Sequence, residues 1–341
     1  MRRRLSALVL MLLLVGVCCA VAFGAWATQV LPKWQFQRPG VLEVQTGDSL
    51  AAVAMRLAAD HGLDHALYLR GLALLRGVSR KIQAGEYRIE QGLSLDQLLD
   101  RMVRGAVVQY PITLVEGWTF AQAVARVQAH PKVTADALGW STQDWVRALD
   151  IQADHPEGWL FPDTYHLAKG TPDWVVLKRA TERMQAILAQ EWDARRKNLP
   201  LSSPYEALIL ASIIEKETAV AAERQQIAGV FVRRLQRGMR LQTDPTVIYG
   251  LGAEFDGDLR WRDLRTDGPY NTYLRSGLPP TPIALPGRES VHAALHPGDG
   301  DALYFVARGD GTHEFNATYA AHEEAVKHHQ LGQPRGTGGS K

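Results

Sequence analysis

The sequence predicts an α+β protein built as an N-terminal transmembrane helix, a small βααβ module and a larger mixed α+β domain. Three observations carry that reading. An uncharged apolar run, Leu5 to Ala27, follows three arginines and is long enough to cross a bilayer core of about 30 Å as a helix. Beyond it, short alternating segments are interleaved with stretches whose apolar residues recur at three- and four-residue spacing, the pattern of strands mixed with amphipathic helices. Finally, 341 residues, 46% hydrophobic and 22% charged, leave room for two or three ordinary globular cores.

Arg2, Arg3 and Arg4 hold the N-terminus in the cytoplasm by the positive-inside tendency, so residues 1–28 are expected to anchor a body lying outside the membrane. The rival is a cleaved signal peptide with Ala20-Val21-Ala22 as its cleavage site. Lipoprotein processing is set aside, because Val17 stands before Cys18 where a small residue is needed. Cys18 and Cys19 are the only cysteines, which leaves no disulfide framework and no cysteine metal site. A formal net charge of +2 gives no argument for nucleic acid. Residues 29–40, with Trp34 to Pro39, read as a linker.

The module is expected over 41–105. Val41 to Thr46 has strand character. Leu50, Val53, Ala54, Leu57 and Ala58 then form one helical stripe, with Asp48 as N-cap and Gly62 as stop. A second helix over about 64–76 places Tyr68, Leu72 and Leu75 on one face, although Gly71 weakens it. KIQAGEYRIEQGLS reads as strand and turn, and Ser94 caps the helix LDQLLDRMVRG.

The larger domain is expected over 106–330, with 331–341 a disordered tail by composition. It begins with a strand, Ala106 to Glu116, and a helix, Thr119 to Ala129. EGWLFPDTYHL gathers Trp159, Phe161, Asp163 and Tyr165 at a proline turn, either lining a ligand groove or forming a buried aromatic corner. Residues 173–196 form an amphipathic scaffold helix.

Pro204 to Gly250 follows, the stretch on which the chain is organised. Its apolar helix ends on Glu215 and Glu217. Two residues apart on a helix, they point about 200° away from each other and cannot act as a facing pair. Glu217 lies over Leu210, Ile213 and Ile214, Glu215 over Leu208, Ala211 and Ser212. A carboxyl over bulky aliphatics loses hydration and keeps its proton to higher pH, so Glu217 is the first candidate acid and Glu215 the second. The bland alternative is that both are exposed and pair with Lys216, Arg224 or Arg233. A second helix carries Ile227, Val230, Phe231 and Leu235, with Gly238 as stop. RLQTDPTVIYG is expected as a loop-to-extended segment, since Asp244-Pro245 extends the backbone before the proline. Its Gln242, Thr243, Asp244, Thr246 and Tyr249 make a polar strip suited to a sugar. PYNTY and SGLPPTPIALPG form a rigid loop, LYFVARGDGTHEFN a hairpin turning at Gly309 to Gly311, and an amphipathic helix closes the domain.

ASIIEKETAVAAER, RLQTDPTVIYG, YNTY at 270–273 and GLPPTPIALPG at 277–287 closely resemble the endolytic murein transglycosylases of the MltG (YceG-like) family. The resemblance runs from the anchor to FNATYAAHEEAV near the C-terminus. It implies a YceG-like catalytic domain preceded by a LysM-like module, the latter marked by GDSL and GEYRI, which either binds glycan or has kept only the shape. It also implies a bacterial inner-membrane enzyme with a periplasmic body. That enzyme cuts the β-1,4 bond between N-acetylmuramic acid and N-acetylglucosamine in nascent strands and terminates their elongation beside peptidoglycan synthases. The substrate's own C6 hydroxyl attacks, leaving a 1,6-anhydro end, so one carboxyl serves as acid and then as base, and no cofactor is expected. Gln242, Thr243, Asp244, Tyr270, Asn271, Thr272 and Asn316 are the expected substrate contacts, with Phe315 beside Asn316 close to the groove.

Two other readings stay open: a muramidase that admits water, and a non-enzymatic glycan-binding scaffold. A Ser212–Lys216 acyl-transfer pair lacks an oxyanion-hole signature. His322, His328 and His329 do not form HExxH, and no metal site is expected there or elsewhere. No Gly-rich phosphate loop of Walker or Rossmann spacing is present.

Overall fold

The computed structural model describes residues 2–331. The tail read as disordered lies, from 332 onward, outside the described residues, as do the side chains of Arg2, Arg3 and Arg4. The chain divides into two compact units, one running to Tyr110 and taking in His166–Gly170, the other Pro111–Tyr165 with Thr171 onward.

The first unit opens with the helix Arg2–Gln29. From Met11 it is long and apolar enough to cross a membrane, with none of that span buried. Strands Gly40–Val44 and Gly85–Ile89 then pair antiparallel, Gly40 opposite Ile89 and Val44 opposite Gly85. Helices Leu50–His61 and Leu67–Leu75 lie between them in sequence, and Leu95–Arg104 follows. Ser94 and Gln97 close a capping box on that last helix, as Ser94 led one to expect. Three expectations are corrected. The N-cap of Leu50–His61 is Ser49, whose extended backbone lets its hydroxyl accept from the Ala52 amide, while Asp48 accepts from the Gln45 amide and pairs with Arg56. The buried face of Leu67–Leu75 is Leu69, Leu72 and Ala73, with Leu75 56% exposed. Tyr68 stands at the edge of that face, where its ring meets Trp26 and His65 edge-on. Residues 29–40 are no simple linker, because Leu31 and Phe36 join the core beside Leu42, Tyr87 and Leu98.

The second unit is built around the helix Pro204–Glu217. Ser203 caps it through the Glu206 amide, and Pro204 occupies its first turn, where a missing N–H costs nothing. Leu208, Leu210, Ile213 and Ile214 are fully buried. Around it pack the helices Asp173–Asp193, Arg224–Gln236, Asp244–Leu251 and Arg288–Leu295. The strand expected over 106–116 is confined to Tyr110–Thr113. The helix after it is Phe120–Gln128, with a Thr119–Gln122 capping box. The segment expected to be extended is also corrected: Asp244–Leu251 is helical, because Pro245 sits in the first turn and the extended backbone falls on Thr243 before it (φ −122°, ψ 122°). The predicted hairpin forms from Tyr304–Ala307 and His313–Asn316, with Gly309 and Gly311 at positive φ between them. The helix Tyr319–Val326 follows it.

Candidate active site

Thr218 turns to extended backbone (φ −145°, ψ 136°) and stops the central helix, so Glu217 is its last residue. A carboxylate there faces the negative end of the helix dipole. Glu217 is half-buried and lines a cavity of about 420 Å³ with Arg234, Gln242, Thr243, Asp244, Tyr273, Tyr304, Phe305, His313 and Tyr319. Burial pushes its carboxyl from the ordinary 4.5 up to about 7. The hydrogen bond that Thr243 Oγ1 donates to Glu217 Oε1 partly offsets this, neighbouring Asp244 adds to it, and His313 and Arg234 work against it.

Glu215 points elsewhere, as the helical period requires. Its side chain is 6% exposed, and Oε2 accepts from the Gly287 amide at 3.0 Å and from Ser290 Oγ at 2.6 Å. Arg224 Nη2 lies 4.0 Å from Oε1. This carboxylate ties the central helix to the start of Arg288–Leu295 and is not in the cavity wall. The Ser212–Lys216 pair dissolves as well. Ser212 is fully buried, donates to Ile209 O and accepts from the Ile283 amide, while Lys216 Nζ reaches Gly117 O.

The expected substrate contacts divide. Gln242, Thr243 and Asp244 line the cavity. Gln242 holds positive φ (51°) and donates its amide to Thr272 O at 3.2 Å, and Asp244 accepts from the Tyr273 hydroxyl. Tyr270, Asn271 and Thr272 are not in the wall. Asn271 is 4% exposed, and its Nδ2 donates to Leu264 O at 3.0 Å and Thr266 O at 2.8 Å while Oδ1 accepts from the Tyr273 amide. A buried amide that satisfies loop backbone in this way is scaffold. Thr272 Oγ1 accepts from the Thr243 amide at 3.1 Å and is hydrogen-bonded to Thr246 Oγ1 at 2.9 Å, so it fixes the loop that presents Thr243. Tyr270 bonds Thr281 and packs its ring 5.0 Å from Tyr249. Asn316 lies opposite Tyr304 in the hairpin with a buried Nδ2 that has no partner among the described residues, and Phe315 packs on Phe305. The hairpin does reach the cavity, through Tyr304, Phe305 and His313.

The sequence reading missed Arg234, Glu223, His313 and Glu157, and also the wall residues Tyr273, Tyr304 and Tyr319. Arg234, 8% exposed, donates to Leu303 O and Leu241 O at 2.7 Å each, with its guanidinium 5.1 Å from the Tyr304 ring centre. It thereby locks hairpin and loop to one helix. Glu223 accepts from the His313 amide at 2.9 Å and contacts His313 Nδ1 at 2.7 Å, which fixes that ring at the cavity. Glu157, 3% exposed, takes the Phe120 amide at 2.8 Å and the Tyr249 hydroxyl at 3.0 Å, and burial pushes it up to about 7. With Trp159 and Phe161 buried and Trp159 stacked on Tyr205, the Glu157–Pro162 half of EGWLFPDTYHL is a buried corner, while Asp163 and Tyr165 are partly exposed.

A sequence model of the YceG-like family matches residues 42–328. The endolytic murein transglycosylase of Bacillus subtilis (strain 168) is 32% identical over 311 residues, covering 83% of this chain and 83% of its own length. The one from Streptococcus pneumoniae serotype 2 is 29% identical over 259 residues, covering 66% of this chain but 46% of its own length. The crystal structure of a YceG-like protein from Listeria monocytogenes superposes with a TM-score of 0.54 at 30% identity, covering 84% of this chain and 98% of that one.

Proposed function

The chain belongs to the YceG-like family, and from that premise we propose that Glu217 is the acid with which it cuts peptidoglycan. It is a lytic transglycosylase, like the relatives named above. The observation that carries the assignment is a single side chain: a carboxyl in the wall of a cavity of about 420 Å³, held protonated to about pH 7 by burial, with Thr243 bonded to it.

Protonated Glu217 gives its proton to the glycosidic oxygen as the bond to the muramoyl C1 breaks. The C6 hydroxyl of the same sugar attacks C1, and the Glu217 carboxylate takes the O6 proton, so acid and base are one group and no water is consumed. Because the attack is intramolecular, the entropy cost of capturing a second molecule is avoided. Thr243 holds the carboxylate between the two transfers. Tyr273, Tyr304 and Tyr319 offer ring faces and hydroxyls to sugar, and Gln242 and Asp244 offer hydrogen bonds. Asp244, in the same wall, favours a second reading, a two-carboxylate muramidase.

We extend the proposal to the setting. The arginines before the apolar helix support a cytoplasmic N-terminus, an inner-membrane anchor and a periplasmic body. The βααβ arrangement supports a LysM-like module, and a second cavity of about 420 Å³, lined by Gln45, Asp48, Ser49 and Arg80 among others, suits a glycan rail. An anchored endolytic cutter is suited to ending nascent strands beside peptidoglycan synthases, which we take as partners.

Purified full-length protein in detergent is to be incubated with peptidoglycan and the products weighed. Wild type should leave 1,6-anhydro ends, and Glu217→Gln should release nothing while binding glycan as before. Reducing ends heavier by one water, about 18 Da, would establish the muramidase. Binding with no release by wild type would leave only a scaffold.

A further inference from the structure

We infer that Glu191, His292 and His296 form a zinc-class divalent cation site that clips the helix Asp173–Asp193 to the helix Arg288–Leu295. His292 and His296 are four residues apart, so their side chains share one face, and the rings stack with centroids 4.3 Å apart. Glu191 comes from the other helix, and its Oε2 lies 2.9 Å from His292 Nδ1. One ligand atom from each of the three residues lies within 4.8 Å of the others.

The second observation is an orphan. His296 Nε2 is buried and has no hydrogen-bond partner among the described residues. Such a nitrogen loses its solvation with nothing in return unless a partner takes its place. A metal ion coordinated by the ring supplies what the protein does not. The His292 side chain is 42% exposed, which gives the ion a way in.

Two imidazoles and one carboxylate match zinc with a fourth, open position, whereas calcium and magnesium take oxygen ligands. Arg288 Nη1 sits 2.8 Å from Glu191 Oε1 and competes for the carboxylate, so the ion takes Oε2, in place of its hydrogen bond to His292 Nδ1. The site is structural in effect. The helix that it pins begins at Gly287 and Ser290, the two donors that hold Glu215, two residues from Glu217.

The test is a zinc titration of full-length protein in detergent, after chelation and removal of the chelator, read by calorimetry and by competition with a chromophoric chelator. One ion per chain is expected, with His292→Ala and His296→Ala each weakening binding by about 100-fold or more. Arg288→Gln should bind zinc more tightly, because the competing cation is gone. Cobalt added to wild type should give visible absorption bands of a four-coordinate site, a readout that needs no variant to fold. Absence of zinc binding by wild type up to about 1 mM would overturn the inference. So would binding that survives both histidine replacements in protein whose circular dichroism is unchanged.

Discussion

Replacing Thr243 by valine removes a hydroxyl that donates to Glu217, and it should move the alkaline limb of the pH–rate profile upward. Raising the carboxyl from 4.5 to about 7 disfavours its ionised form by roughly 3 kcal/mol, at 1.36 kcal/mol per pH unit. The protonated fraction that can start the reaction is then about nine-tenths at pH 6, half at pH 7 and one-tenth at pH 8. Hence kcat/KM should fall about tenfold per pH unit above that midpoint. A hydrogen bond to a charged group is worth about 1.5–3 kcal/mol, so its loss in Thr243→Val shifts the limb up by about 1 to 2 pH units. Asp244→Asn should shift it down, because a negative neighbour is removed.

The assay is initial release of soluble fragments from purified peptidoglycan between pH 5 and 9. A single acid that returns to its starting state through O6 gives one limb, not a bell. A midpoint near 4.5, or one that neither substitution moves, would falsify the assignment of the working proton to Glu217. An added acidic limb abolished by Asp244→Asn would make Asp244 the base and the reaction a hydrolysis.

Glu215→Gln should keep turnover per folded molecule but lose about 1–3 kcal/mol in urea denaturation, because a neutral amide oxygen accepts from Gly287 and Ser290 more weakly than a carboxylate and the amide NH2 replaces the oxygen that faces Arg224. A stable but inactive Glu215→Gln protein would move the acid by two residues. Glu157, raised to about 7 by burial, binds a proton in the folded state that the unfolded chain has already released between pH 4.5 and 7. Stability attributable to it is therefore full at low pH and lost as pH rises through that window, by at most roughly 3 kcal/mol. Glu157→Gln should flatten this slope between pH 5 and 8, and an unchanged slope would show that the proton sits elsewhere.

How much of this site was legible in the sequence depends on which distance sets each contact. The facing of Glu217 follows from helix period alone, and the structure separates it from Glu215 as the period demands. The cap at Ser94 and the hairpin glycines are equally local. Asn271 and Thr272 misled because a polar residue between glycine and proline reads as available, yet the loop's own carbonyls and the Thr243 amide consume it. The Glu223–His313 pair spans 90 residues, and no pattern within either segment marks it. Arg234 was within reach. It follows Ile227, Val230 and Phe231 at i−7, i−4 and i−3, all three buried, which is the spacing that singled out Glu217 over Leu210, Ile213 and Ile214. An ionisable group at the end of an apolar stripe is drawn out of water whichever its sign, so the rule that finds the acid also finds the cation. Two successive helices thus each deliver one charged head to the same cavity, where burial lowers the Arg234 pKa with Glu217 working against it, and burial raises the Glu217 pKa with Arg234 working against it. The cation can be there without stripping the acid of its proton because burial is the larger influence on Glu217, while Arg234 Nε and Nη1 are directed to the carbonyls of Leu303 and Leu241.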